Sequence, residues 1–212
     1  MNNVVRLTPR ALYEEVAERL RQRIFNRELT PGDWIDELRI AQELGISRTP
    51  LREALKVLAA EGLVTMKVRR GAFVTEASSK DLADVYHLLT LLETDAVEVV
   101  ACQASAAQLA ELTALHADLE AAVGDADRFF AINEAFHLRL LELADNKWRL
   151  QVVQDLRKVM KLHRQHSLLK AGRLEESLAE HRELMAALRA RDGARAAQGM
   201  RKHFRSGLTA AN

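Results

Sequence analysis

The eleven residues Gly45-Ile-Ser-Arg-Thr-Pro-Leu-Arg-Glu-Ala-Leu55 constrain the fold more than any other stretch of the chain. Gly45 has no Cβ and takes the positive φ that a sharp turn after a helix requires. Ser47 is a favoured N-cap, and Pro50 falls in the first helical turn, where a missing N–H matters little. Leu51, Ala54, Leu55, Leu58 and Ala59 recur at i, i+3, i+4, i+7 and i+8, which predicts one buried stripe. Arg48, Arg52 and Lys56 form a second stripe beside it. A helix packed along one side, with Arg48, Thr49 and Arg52 exposed near its N-terminus, suits the major groove of DNA, where guanidinium forks hold phosphate or guanine.

The flanking sequence extends the pattern. Residues 35–44 read as a short helix with Asp36 as N-cap and Leu38, Ile40, Ala41 and Leu44 as apolar positions. Helix, glycine turn and basic helix together make a helix-turn-helix. Two short β-prone runs, 63–66 and 72–75, flank the cationic segment Lys67-Val-Arg-Arg-Gly71. They predict a hairpin, or wing, whose Lys67, Arg69 and Arg70 lie against phosphates.

From Ser78 onward no convincing strand is present. Helices are expected over about 79–102, 106–122, 126–144, 147–168, 174–191 and 193–206. Breaks fall at Gly124-Asp125, Asp145-Asn146, Ala171-Gly172 and Asp192-Gly193. Six helices of this length form an antiparallel bundle, whose interior can converge side chains on a ligand. The expected fold is therefore mainly α, with a winged helix-turn-helix domain over 1–77 and an all-α bundle over 78–212. The low aromatic content, 5%, and the 3 prolines agree with a helical protein.

The net charge of +1 does not announce a nucleic-acid binder: residues 1–77 hold 13 Lys and Arg against 11 Asp and Glu. Affinity for phosphate must come from local placement, and two binding units acting together would strengthen it. Single Cys102 excludes an intrachain disulfide and reads as a small buried residue of a cytoplasmic protein. No apolar run approaches membrane-spanning length, so no membrane partner is expected.

In the bundle, polar residues at otherwise apolar positions are the informative ones. Asn133 and His137 are spaced i, i+4 and project from one helix face among phenylalanines and leucines. His181 and His203 sit in apolar settings on two further helices. Three imidazoles and an amide oxygen are a donor set for a divalent metal. From spacing alone, ordinary, partly buried histidines with hydrogen-bond partners are the plainer reading, since Asn is a weak ligand and no Cys contributes.

At this point the chain resembles a known family. Tyr13, Leu20, Pro31-Gly32, Glu37, the run 44–55, Glu61-Gly62-Leu63 and Arg69-Arg-Gly-Ala-Phe-Val74 are similar to the winged helix of GntR-family bacterial transcription regulators. The similarity covers about 8–76. Phe136-His137, Asn146, Ser177-Leu-Ala-Glu-His181 and Arg201-Lys-His203 resemble the all-helical FCD effector domain over 80–206. The resemblance implies that Ser47, Arg48, Thr49 and Arg52 contact operator DNA, with Gly71 at the wing tip in the minor groove. It also implies that Asn133, His137, His181 and His203 hold a divalent ion, Zn with Ni or Mn as alternatives, beside a small carboxylate effector.

Two departures stand out. Some members carry a DNA-contacting Arg where this chain has Leu38, with Arg39 next door. Others carry an effector-clamping Arg four residues before Glu93, where this chain has Leu89. Arg139, Arg149 and Arg164 are candidates for the missing cation, and His163 and His166 for pocket contacts, although surface or core duty is the plainer reading of each.

The expected protein is thus a homodimeric regulator whose affinity for double-stranded operator DNA shifts when a metabolite binds. A constitutive DNA binder with an inert dimerisation bundle is the first alternative. A metal-dependent enzyme is the second, but no His-Glu-x-x-His motif or nucleophile–base pair supports it.

Overall fold

The computed structural model describes residues 12–168 and 170–211, with the side chains of 159 and 162–166 outside the described residues. The chain separates into two compact units that meet between Glu76 and Ala77.

The first unit opens with α1 (Leu12–Phe25), which buries Val16, Ala17, Leu20 and Ile24 as one stripe. α2 (Glu37–Leu44) is capped as its sequence predicts: Asp36 accepts from the backbone N–H groups of Leu38 and Arg39. Gly45 closes it at φ 64°, left-handed, as the turn requires. α3 (Arg48–Ala60) buries Leu51, Ala54, Leu55 and Leu58 against α1. Ser47 does stand at its N-cap, yet its side chain makes no capping hydrogen bond. Leu38, expected on the apolar face of α2, is 59% exposed; Ile40 and Ala41 fill the core instead.

The wing consists of β1 (Val64–Lys67) and β2 (Gly71–Val74), antiparallel with Val64 opposite Val74 and Lys67 opposite Gly71. Its turn uses Arg69 at φ 59° and Gly71 at φ 91°. Trp34 bridges to Phe73 and lays a further extended segment beside β2.

The second unit is built of α4 (Ser79–Gln103), α5 (Ala106–Ala121), α6 (Ala126–Leu143), α7 (Lys147–Leu168), α8 (Arg173–Arg189) and α9 (Gly193–Ala211). Capping boxes at Ser78 with Asp81, and Ser105 with Gln108, start the first two. The breaks use Gly124, Asp145, Gly172 and Arg191 at positive φ. Gly193 is no breaker: it begins α9, where an added Cβ would stand 3.1 Å from Cys102 Sγ. Cys102 is exposed, contrary to expectation, because Val100 and Ala101 take the buried face at that end of α4.

α4 packs along α9, and the core fills with Leu89, Val97, Val100, Leu112, Phe136 and Met200. Leu89 is fully buried within this apolar set, so this position serves packing. None of the described helices is long and apolar enough to cross a membrane.

Candidate functional site

The first unit presents a cationic face. Arg48, Thr49, Arg52 and Lys56 all emerge exposed from α3, beside the buried stripe and not within it. Glu37, near the start of α2, accepts from Arg48 Nη2 at 3.1 Å and from Arg52 Nε at 2.9 Å. Burial would raise the Glu37 carboxyl, but hydrogen bonds and charge from Arg52 and Arg48 outweigh it and hold it below the usual carboxylate range. One carboxylate thereby fixes two flexible guanidinium forks side by side. Lys56 pairs with Glu53, and Arg39 with Glu43 on α2. Lys67 lies over the Phe73 ring, and Arg69, Arg70 and Val68 stand out at the wing turn.

The second unit gathers histidines. His137 from α6, His181 from α8 and His203 from α9 bring ligand nitrogens within 4.8 Å of one another. Asn133, one helical turn before His137, is buried, and its Oδ1 has no hydrogen-bond partner. His181 is buried with both ring nitrogens unpartnered. Burial, aided by the charges of His203, His116, Arg173 and Arg157, holds its pKa well below the usual histidine value. A neutral, desolvated imidazole with no protein partner is a costly arrangement that a metal ion relieves.

A carboxylate stands behind each of the other two rings. Glu93 from α4 lies 2.7 Å from His137 Nδ1, and Glu180 from α8 lies 2.8 Å from His203 Nδ1. An ionised carboxylate only accepts, so each Nδ1 carries a proton and Nε2 is the ligand atom the ring offers. Each carboxylate is held in turn by a buried arginine. Arg157 Nε donates to Glu93 at 2.9 Å and its Nη1 to Glu134 at 2.7 Å; Arg173 Nη2 donates to Glu180 at 3.1 Å and its Nη1 to Glu176 at 2.9 Å. Burial pushes the Glu180 carboxyl up, while the hydrogen bond and charge of His203 bring it below the ordinary range. The donor set and its carboxylate backing therefore fit a divalent ion.

A cavity of about 30 Å³ opens beside this cluster, with Phe130, Asn133, Arg173, Ser177, His203 and Phe204 among its lining residues. Two of the cations proposed from sequence, Arg139 and Arg149, are placed elsewhere. Arg139 pairs with Glu111 and Glu142, and buried Arg149 pairs with Asp95 and the Ala144 carbonyl; neither lines the cavity. The side chains of His163, Arg164 and His166 lie outside the described residues. Among the described residues Arg173 is a cation that lines the cavity, and it escapes sequence reasoning, as do Arg157, Glu180 and the role of Glu93 behind His137. Only Glu180, adjacent to His181 in the chain, left a local signal.

A winged helix joined to an all-α bundle of this kind defines a DNA-binding transcription regulator, not an enzyme. The chain belongs to the GntR family: the profile described as bacterial regulatory proteins, gntR family, matches residues 12–74, and that of the FCD domain matches 84–206. It is similar to the HTH-type transcriptional regulator YdhC of Bacillus subtilis, 28% identical over 92% of this chain and 89% of that one. It is also similar to the gluconate operon transcriptional repressor of the same organism, 31% identical over 68% of this chain and 60% of the relative. Among solved structures, McbR/YncC of Escherichia coli shares the fold at a TM-score of 0.72 and 24% identity, over 94% of this chain and 96% of that one.

Proposed function

We propose that the chain is a metabolite-responsive regulator whose operator affinity is set by a small carboxylate bound beside a divalent metal ion in the helical unit. The observation that carries this reading is His181, buried among His137 and His203 with neither ring nitrogen engaged. Asn133, His137, His181 and His203 would hold the ion, Zn in the first instance, with Ni or Mn as alternatives. A bound ion supplies Lewis acidity and open coordination positions for a carboxylate oxygen. Arg173, Ser177 and Asn133 line the cavity and are polar partners for an effector carboxylate, which must widen the present space of about 30 Å³ to enter. Arg173, which lines the cavity, takes the role expected of Arg139 or Arg149, which do not.

On DNA, Arg48, Thr49 and Arg52 enter the major groove with Ser47 at the helix start, its hydroxyl not spent on capping. Lys56, Lys67, Arg69 and Arg70 neutralise phosphates, and Gly71 lets the wing approach the minor groove. The regulator acts in the cytoplasm as a homodimer, so that two recognition helices meet two half-sites. Exposed Leu88 and Leu91 on α4, and Trp148 and Val152 on α7, are apolar surface that a second copy would cover. Effector binding shifts the dimer between states of different operator affinity, by a coupling of ~1–3 kcal/mol.

The test loads full-length protein with zinc and titrates citrate, malate and lactate while operator binding is followed by fluorescence anisotropy. His181→Ala should lose zinc and the response to carboxylate while retaining basal DNA binding. Wild-type protein that retains no zinc against a chromophoric chelator defeats the metal reading. Zinc retention with no response to any carboxylate leaves a constitutive DNA binder.

A further inference from the structure

Among the described residues, one groove of the first unit combines features that packing does not explain. It lies between α2, the start of α3 and the wing, and Trp34, Glu37, Leu38, Arg48, Arg52 and Arg70 line it. Trp34 is 56% exposed and Leu38 59% exposed, the two exposed large apolar side chains in a lining that also holds buried Ile35, three guanidinium groups and the carboxylates of Asp36 and Glu37. Trp34 is fixed in place: its Nε1 lies 3.1 Å from where a Cβ on Gly71 would stand, and its backbone bridges to Phe73. The backbone at Leu38 is held one residue into α2, where the N-cap Asp36 accepts from the Leu38 backbone N–H. Leu38 therefore stands on a rigid support beside the two arginines that Glu37 holds in parallel.

An exposed apolar side chain in a groove that also presents three arginines has one specific partner on duplex DNA. The C5-methyl of thymine is the apolar group on the major-groove edge of a base pair, and it is read by apolar contact. Phosphates, which the surrounding arginines suit, bring the duplex onto this face. We infer that Leu38 reads a thymine methyl in each operator half-site, next to the bases reached by Arg48 and Arg52, with Trp34 closing the groove on the wing side. This makes the operator preference of this chain partly apolar at a position where an Arg would read phosphate or guanine. The inference rests on the reading that α3 enters the major groove.

The test uses full-length protein and duplexes enriched from a random pool by selection on it. Each thymine of the enriched half-site is replaced in turn by deoxyuridine, which removes the methyl and keeps the pairing edge. One position should weaken wild-type binding about fourfold per half-site, the equivalent of returning one methyl-sized group to water. In Leu38→Ala, whose side chain is too exposed to disturb the core, the same replacement should have no effect. The inference is overturned if no thymine shows a uracil penalty in the wild type, or if the penalty persists unchanged in Leu38→Ala. Arg48→Ala and Arg52→Ala separate this outcome from failure of the underlying reading. If they abolish binding while no methyl effect exists, the inference alone falls; if they leave binding intact, the placement of α3 falls with it.

Discussion

Glu93→Gln isolates the carboxylate support of the histidine cluster. Glu93 is buried between two partners on other helices, His137 Nδ1 at 2.7 Å and Arg157 Nε at 2.9 Å. Glutamine keeps its shape but turns one acceptor oxygen into an NH₂ donor. Turned toward Arg157, the NH₂ sets donor against donor and leaves a buried guanidinium to Glu134. Turned toward His137, it makes Nδ1 the acceptor, which moves the ring proton to Nε2 and removes the lone pair a metal ion needs. Removing one partner of a buried ion pair costs about 3–5 kcal/mol. Because Glu134 still holds part of Arg157, the lower figure applies, about 3 kcal/mol, equivalent to a Tm drop of about 6–12 °C in a chain of this size. Zinc affinity should fall about 10- to 100-fold, as it does when carboxylate support behind a ligand histidine is lost. Urea unfolding of metal-free protein measures the first effect, and competition with a chromophoric chelator the second. Glu183→Gln, which touches an exposed pair with Lys202, is the control. A Glu93→Gln protein within about 1 kcal/mol of wild type, the range of an exposed ion pair, and with unchanged zinc affinity, would refute the reasoning.

Arg52→Ala should weaken operator binding by about 1–3 kcal/mol, read by gel shift, while leaving Tm unchanged because Arg52 lies outside the buried stripe; equal affinity would remove α3 from the interface. Burial holds His116 below its ordinary pKa, so the folded chain takes up fewer protons than the unfolded one as pH falls through about 6.5. Stability contributed by this neutral ring is present above that pH and declines below it, by no more than about 1.4 kcal/mol per pH unit. His116→Leu should flatten the slope of urea midpoints between pH 5 and about 6.5, and an identical slope would count against the burial argument. Leu91→Glu and Trp148→Glu should each shift sedimentation from dimer toward monomer, since both place a charge on exposed apolar surface of the helical unit; an unchanged dimer would place the interface elsewhere.

Local order and local chemistry are written in the sequence. Asp36, Gly45 and Ser47 lie within a few residues of the helix ends they define, so the helix-turn-helix is legible from spacing alone. The helices of the second unit follow from their breaks, with serine caps at the starts of α4 and α5 and an aspartate cap at the start of α6. Asn133 and His137, one turn apart, share a helix face by their spacing alone. What the sequence hides depends on contacts between distant elements. Glu93 meets Arg157 across 64 residues and His137 across 44, and no local pattern carries that pairing. The same distance conceals the pairing of Arg139 with Glu111 and of Arg149 with Asp95, which turn both away from the cavity. Leu38 reads as a core position because its periodicity is that of a buried residue, but α2 is only two turns long and its packing is satisfied by Ile40 and Ala41. Short-range hydrogen bonding and periodicity fix which residues become helix; only the packing of helices against one another decides which polar groups lose water together, and that sets the chemistry of the histidine cluster.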